Sequence, residues 1–186
     1  MGWIILIIVV LIVIAIISMY NGLVSARVKV DNAWSQIDVQ LQRRFDLIPN
    51  FVETVKGYAA HESETFEKIT KLRTSWSNAS TVTEKADLDN QLSGALKTIM
   101  AVSENYPDLK ANQNFSELSE ELRNTENKIS FSRQFYNDSV TMYNQKLQLF
   151  PSNIIAGMFN FQPRELFAVE NAEVRKNVKV DFGKNA

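Results

Sequence analysis

Residues Ile4 to Ile17 form an unbroken apolar run, bracketed by Trp3 and Tyr20. At a helical rise of about 1.5 Å per residue, Trp3 to Tyr20 measures roughly 27 Å, close to the hydrocarbon thickness of a bilayer. No charge and no proline interrupts the run. Its aromatic ends fall where the headgroup regions would begin. The sequence therefore predicts a transmembrane anchor over residues 1–21, a helical bundle over 22–150, and a short apolar helix with a tail over 151–186. A signal peptide is the rival reading. It would need a basic segment ahead of the apolar run, and only Met1 and Gly2 precede Trp3. Val24-Ser25-Ala26 resembles a cleavage site only loosely.

The flanking cations give the expected orientation. None precedes the anchor, Arg27 and Lys29 follow it, and Arg43 and Arg44 come a few turns later. The excess of Lys and Arg belongs on the cytoplasmic side, which puts the N-terminus outside and the soluble part in the cytoplasm. A periplasmic or extracellular soluble part is the alternative. With no cysteine, disulfides, thiol chemistry and a lipidated cysteine are excluded. The near balance of 20 Lys+Arg against 21 Asp+Glu gives no basic field for nucleic acid.

Beyond the anchor the period is helical. Trp34, Ile37, Leu41, Phe45, Ile48, Val52, Val55 and Ala59 recur at three- and four-residue steps. The spacing predicts one helix from Gly22 to about Ser75. Pro49 either kinks that helix or breaks it, and the unbroken phase of the stripe favours the kink. Ser77 to Ser80 read as a loop. Thr81 and Glu84 fit a capping box opening a second helix that runs to about Asn105 and stops at Tyr106-Pro107. A third helix spans about Asn112 to Phe150. Its seam alternates a large series, Phe115, Leu122, Ile129, Tyr136 and Tyr143, with a shrinking one, Leu118, Thr125, Ser132 and Ser139. Small seam residues let helices approach closely, and their hydroxyls can bond back one turn. Val178, Val180 and Phe182 alternate with charges, which predicts an extended end. The expected fold is all-α: an N-terminal transmembrane helix, then an antiparallel bundle of three long helices, or four if the chain breaks at Pro49.

Little in the chain carries chemistry. No phosphate-cradling loop, dinucleotide fingerprint or nucleophile elbow occurs. His61 is the single histidine and reads as an exposed helical residue. Glu117, Glu120, Glu121 and Glu126 read as the solvated face of the third helix, and Arg43-Arg44 as a surface pair near Asp46. Neither a catalytic residue, a metal ligand nor a cofactor site is expected. Tyr20-Asn21, Tyr136-Asn137 and Tyr143-Asn144 recur, the last two one heptad apart, and with Asn127 they read as a polar network of the bundle. Ile154 to Phe161 could cap the bundle, associate with another copy, or touch the bilayer.

Several segments resemble the LemA family: Tyr20 to Val24, Ala33 to Leu41, Arg43 to Asn50, Glu53 to Tyr58, Tyr106 to Asn112, Thr125 to Ile129, Arg133 and Tyr136-Asn137. The resemblance implies a bacterial inner-membrane protein with one N-terminal span and an antiparallel helical bundle, and it brings no catalytic residue. The family includes a magnetosome-membrane protein, which by analogy implies membrane shaping. Asn177 stands where the family pattern has proline. The expected function is a membrane-anchored scaffold that self-assembles laterally, the alternative being an adaptor for a membrane protease or signalling protein. The bilayer and a second copy are the expected partners. Arg43, Arg44, Trp76, Ile154, Ile155, Met158, Phe159 and Phe161 are candidates for the assembly or partner surface. Phe51, Phe66 and Trp76 read as apolar side chains left over from the seam.

Overall fold

The computed structural model describes residues 2–59 and 62–167. The expectations for His61 and for residues 177–182 lie outside them. Helix α1 spans Gly2–Lys56, α2 Ser63–Asn78, α3 Val82–Ser103, α4 Pro107–Lys110, α5 Gln113–Gln148 and α6 Ser152–Met158. No strand occurs among the described residues.

Residues 2–15 of α1 are all exposed. Its most apolar window has a mean hydropathy of 3.2 and buries nothing within the protein. By length and composition it can cross a membrane. The same helix then continues through Pro49 without a break. It does not run on to Ser75, as the stripe suggested. It ends at Lys56, and Gly57 and Tyr58 make a turn. The reversal folds α2 back on α1, so Phe66, Ile69, Leu72 and Trp76 are buried there. Burying an aromatic or aliphatic side chain is worth roughly 1.5–3 kcal/mol, which outweighs a few extra turns of helix facing water. The long helices are therefore four.

Cross-helix pairs give the directions. Phe51 meets Phe115, Arg43 meets Glu121 and Trp34 meets Tyr136, so α5 runs antiparallel to α1. Phe45 stacks on Trp76 at 4.3 Å, which orders α2 antiparallel to α1. Asp38 pairs with Lys85 and Arg44 with Asp89, so α3 rises parallel to α1. The result is an up-down-up-down arrangement. Beyond Tyr20, α1 has about 54 Å of helix, the same as the 36 residues of α5.

The local signals behave as their chemistry requires. The Thr81 hydroxyl accepts from the Glu84 amide at 3.1 Å, and the Glu84 carboxylate accepts from the Thr81 amide at 3.1 Å. Asn112 caps α5 through the Phe115 amide. On the small side of the α5 seam, Thr125 and Ser139 each donate one turn back at 2.8 Å. The large side, Phe115, Leu122, Ile129, Tyr136 and Tyr143, is buried with Ile37 and Leu41 of α1, while Trp34 packs at its edge.

Candidate functional sites: a buried charge network, a clamped strap and a base formed by α6

Arg44 points into the bundle and is 3% exposed. Its Nη1 lies 2.7 Å from Asp89 and 2.7 Å from Glu126. Arg133 reaches the other Asp89 oxygen at 3.5 Å and donates to Asn90 at 3.4 Å. Three helices thus share one charge cluster. Burial pushes the Asp89 carboxyl above its ordinary range, and the Arg44 and Arg133 guanidiniums pull it back. The same burial lowers the pKa of Arg133. Arg44 is therefore not half of a surface pair; only Arg43 is, with Glu121 at 2.7 Å and both side chains half exposed. Glu126, its side chain 43% exposed, reaches in from the solvated face of α5 to pair with Arg44.

Two of the three tyrosine–asparagine pairs, Tyr136-Asn137 and Tyr143-Asn144, hold a strap of the chain's own residues 161–167. Tyr143 donates to the Gln162 carbonyl at 2.9 Å and Tyr136 to the Glu165 carbonyl at 2.8 Å. The Asn144 side-chain amide donates to the Arg164 carbonyl at 2.8 Å and accepts from the Arg164 amide at 3.0 Å. Asn137 does the same with Phe167, at 3.2 Å and 2.8 Å. Each asparagine acts like one residue of a neighbouring strand. The spacing has a simple origin. One heptad of helix rises about 10.5 Å, and the three extended residues from 164 to 167 rise about 10 Å. Phe167 is buried beside Trp34, with the Arg133 guanidinium 4.5 Å over its ring. Arg164 pairs with Asp31 at 2.9 Å. Asn127, expected in this network, is exposed and lies at least about two and a half turns away.

At the other end of the strap, α6 packs on the base of the bundle. Ile155 and Ala156 form a small second core with Leu23, flanked by Ile16 and Met19. Tyr20 meets Phe159 at 4.7 Å and Phe161 at 5.8 Å, and the Arg27 guanidinium lies 5.3 Å over Phe161. Asn160, at φ 53°, sits in the left-handed region that asparagine tolerates and turns the chain into the strap. Of the residues expected to form an assembly surface, Arg44, Trp76 and Ile155 are buried, and so are Phe51 and Phe66. Phe161 is half-buried, whereas Ile154, Met158 and Phe159 are exposed. Among the described residues, no group of three or more His, Cys, Asp or Glu is placed to hold a metal.

A family model described as the LemA family matches residues 33–182. The chain belongs to the LemA family. It is 28% identical over 154 residues to Protein LemA of Metamycoplasma hominis, covering 82% of this chain and 70% of that protein. It is 26% identical over 174 residues to Magnetosome protein MamQ 2 and to Magnetosome protein MamQ 1 of Paramagnetospirillum magneticum, covering 80% of this chain. The chain spans 64% of the length of those two relatives, less than two thirds. None of these names denotes an enzyme. With an α1 long and apolar enough to cross a membrane, this LemA-family chain is a membrane-associated protein. The family match includes the charge network and the clamped strap, so both lie within the LemA unit.

Proposed function

We propose that this LemA-family protein is a membrane-anchored helical scaffold whose copies associate side by side. One observation carries the reading. Along the α1–α5 pair runs an apolar stripe that none of the other described residues covers. Val28 and Val39 of α1 and Phe131, Phe135 and Met142 of α5 are all exposed, Phe131 by 74%. Exposed apolar side chains in a row usually mark a contact surface. The stripe lies on helices that rise from the anchor, and anchoring confines copies to two dimensions in one orientation. Such confinement raises the effective concentration of identical faces. Arg27 and Lys29 support a cytoplasmic bundle at a bacterial inner membrane. The magnetosome names of two relatives support a role in organising or shaping the membrane.

The test is native mass and particle shape of the full-length protein in mild detergent. Wild type is expected as a uniform oligomer. Val39→Lys with Phe131→Lys, both surface changes, is expected to return it to monomers. A monomeric wild type in detergent and in native membranes overturns the proposal. If a different protein then copurifies in fixed ratio, the chain is an adaptor instead.

A further inference from the structure

We propose that α6 and the turn before it form a second membrane contact, a foot that dips into the same leaflet from which α1 emerges. The occupant of this surface is lipid, and the argument starts from depth. Ile16, Met19 and Leu23 pack against α6. Measured along α1 from Trp3, Ile16 lies about 20 Å and Leu23 about 30 Å up the helix. A hydrocarbon core is about 30 Å thick. Helix α6 is therefore held at the hydrocarbon boundary by its own contacts with the anchor.

Charge and exposure agree with that depth. From Leu147 to Pro163 the chain carries no Asp, Glu, Lys or Arg. The nearest cations, Lys146, Arg164 and Arg27, flank this stretch, where they can meet phosphates. Within it, Leu149, Phe150, Ile154, Met158 and Phe159 are exposed, Phe150 by 79% and Met158 by 68%. Ile154 and Met158 lie four apart, on the face of α6 opposite the buried Ile155 and Ala156. A short helix with one face on protein and the other apolar, rimmed by cations and aromatic rings, suits the headgroup–acyl boundary. Continuity with the lipid-facing surface of α1 separates this patch from the lateral stripe. The foot gives the bundle a second point of attachment and so fixes its angle to the membrane.

The chain has no cysteine, so single cysteines can be introduced without a background. Phe150→Cys, Ile154→Cys and Met158→Cys place nitroxide labels at positions already exposed, which spares the fold. Leu11→Cys serves as the buried-in-lipid reference and Lys97→Cys as the aqueous one. The full-length protein is reconstituted in phosphatidylethanolamine–phosphatidylglycerol vesicles. Collision rates with oxygen and with an aqueous nickel chelate are then compared. The expected oxygen-to-nickel ratio at positions 150, 154 and 158 is several-fold above that at 97 and approaches that at 11. Ratios equal to that at 97 overturn the proposal. So does exclusion of both reagents with spin–spin broadening, because a second copy then covers the foot. A label at 11 reached by nickel overturns both the anchor and the foot.

Discussion

The clamp on the strap gives the sharpest test of side chains acting as a substitute strand. Asn137 and Asn144 each make two hydrogen bonds to the backbone of a single residue, Phe167 and Arg164. A net value of about 1 kcal/mol per bond makes each asparagine worth about 2 kcal/mol. The two lie about 10 Å apart with no shared partner, so their losses should add to about 4 kcal/mol. At 1.4 kcal/mol per tenfold, one substitution to alanine should speed opening of the strap by roughly 30-fold, and both by roughly a thousandfold. Hydrogen exchange reads this directly, because the amides of Arg164 and Phe167 are the donors being released. Asn144→Ala should accelerate Arg164 most and Asn137→Ala Phe167 most. Amides in the middle of α5 should be unchanged. Asn127→Ala is the control: the same residue type on the same helix, exposed and away from the strap. The reasoning is refuted if the two amides exchange within twofold of wild type in the double variant, or if Asn127→Ala speeds them equally.

Four further outcomes follow from named groups. Arg44→Ala removes a counter-charge from the buried Asp89 and should cost about 3–5 kcal/mol, lowering the melting temperature by roughly 6–20 °C. Arg43→Ala, at a half-exposed pair, should cost under about 1 kcal/mol, and equal effects of the two would contradict the network. Thr81→Ala should cost about 1 kcal/mol of helix α3 through loss of its cap. Backbone amides of Ser80 and then Thr81 hold the Glu84 pKa below its ordinary 4.5. Its contribution is therefore present above that value and lost as pH falls through the lower native one, and Glu84→Gln should remove this part of an acid-unfolding curve. At the other extreme, burial raises the pKa of Tyr136 and Tyr143 above the ordinary 10.0. Their contribution is full below that value and lost as pH rises through the raised one. Protease sensitivity of the strap should therefore increase in alkali, and Tyr136→Phe with Tyr143→Phe should abolish that step.

The apolar start of α1, the capping box and the long seam of α5 were legible because each rests on local spacing. The end of α1 was not. Val52, Val55 and Ala59 are followed inward by Phe66, Ile69, Leu72 and Trp76. The step from 59 to 66 is one heptad, so the apolar phase survives a reversal of the chain. Periodicity reports which residues face inward and is blind to a turn whose length matches its own repeat. Only Gly57 marks the place, and a single glycine is a weak signal. The charge network, in contrast, was present in the spacing. Arg44 falls three after Leu41 and four before Ile48; Glu126 falls four after Leu122; Arg133 falls four after Ile129. A charge that keeps step with an apolar stripe is a candidate for burial, and composition alone hides it.

The strap was invisible for a different reason. Asn160 to Phe167 has neither a helical period nor strict alternation, and α5 recognises mostly its backbone. What the sequence did show was the receiving half, two Tyr-Asn pairs one heptad apart, without showing what they receive. Their interval now has a physical meaning, since a heptad of helix matches three residues of extended chain. The clamp also bears on the base. Leu147 and Phe161 pack against both the main core and the small core around Leu23. Releasing the strap should therefore loosen Phe161, and with it the hold of α6 on Tyr20 and Met19. Local opening free energies in a protein follow such shared contacts. Loss of Asn137 and Asn144 should accordingly raise exchange in α6 while sparing α2, which shares no residue with the small core. Equal acceleration in α2 would mean that the strap supports the whole bundle and not only the end that packs on α6.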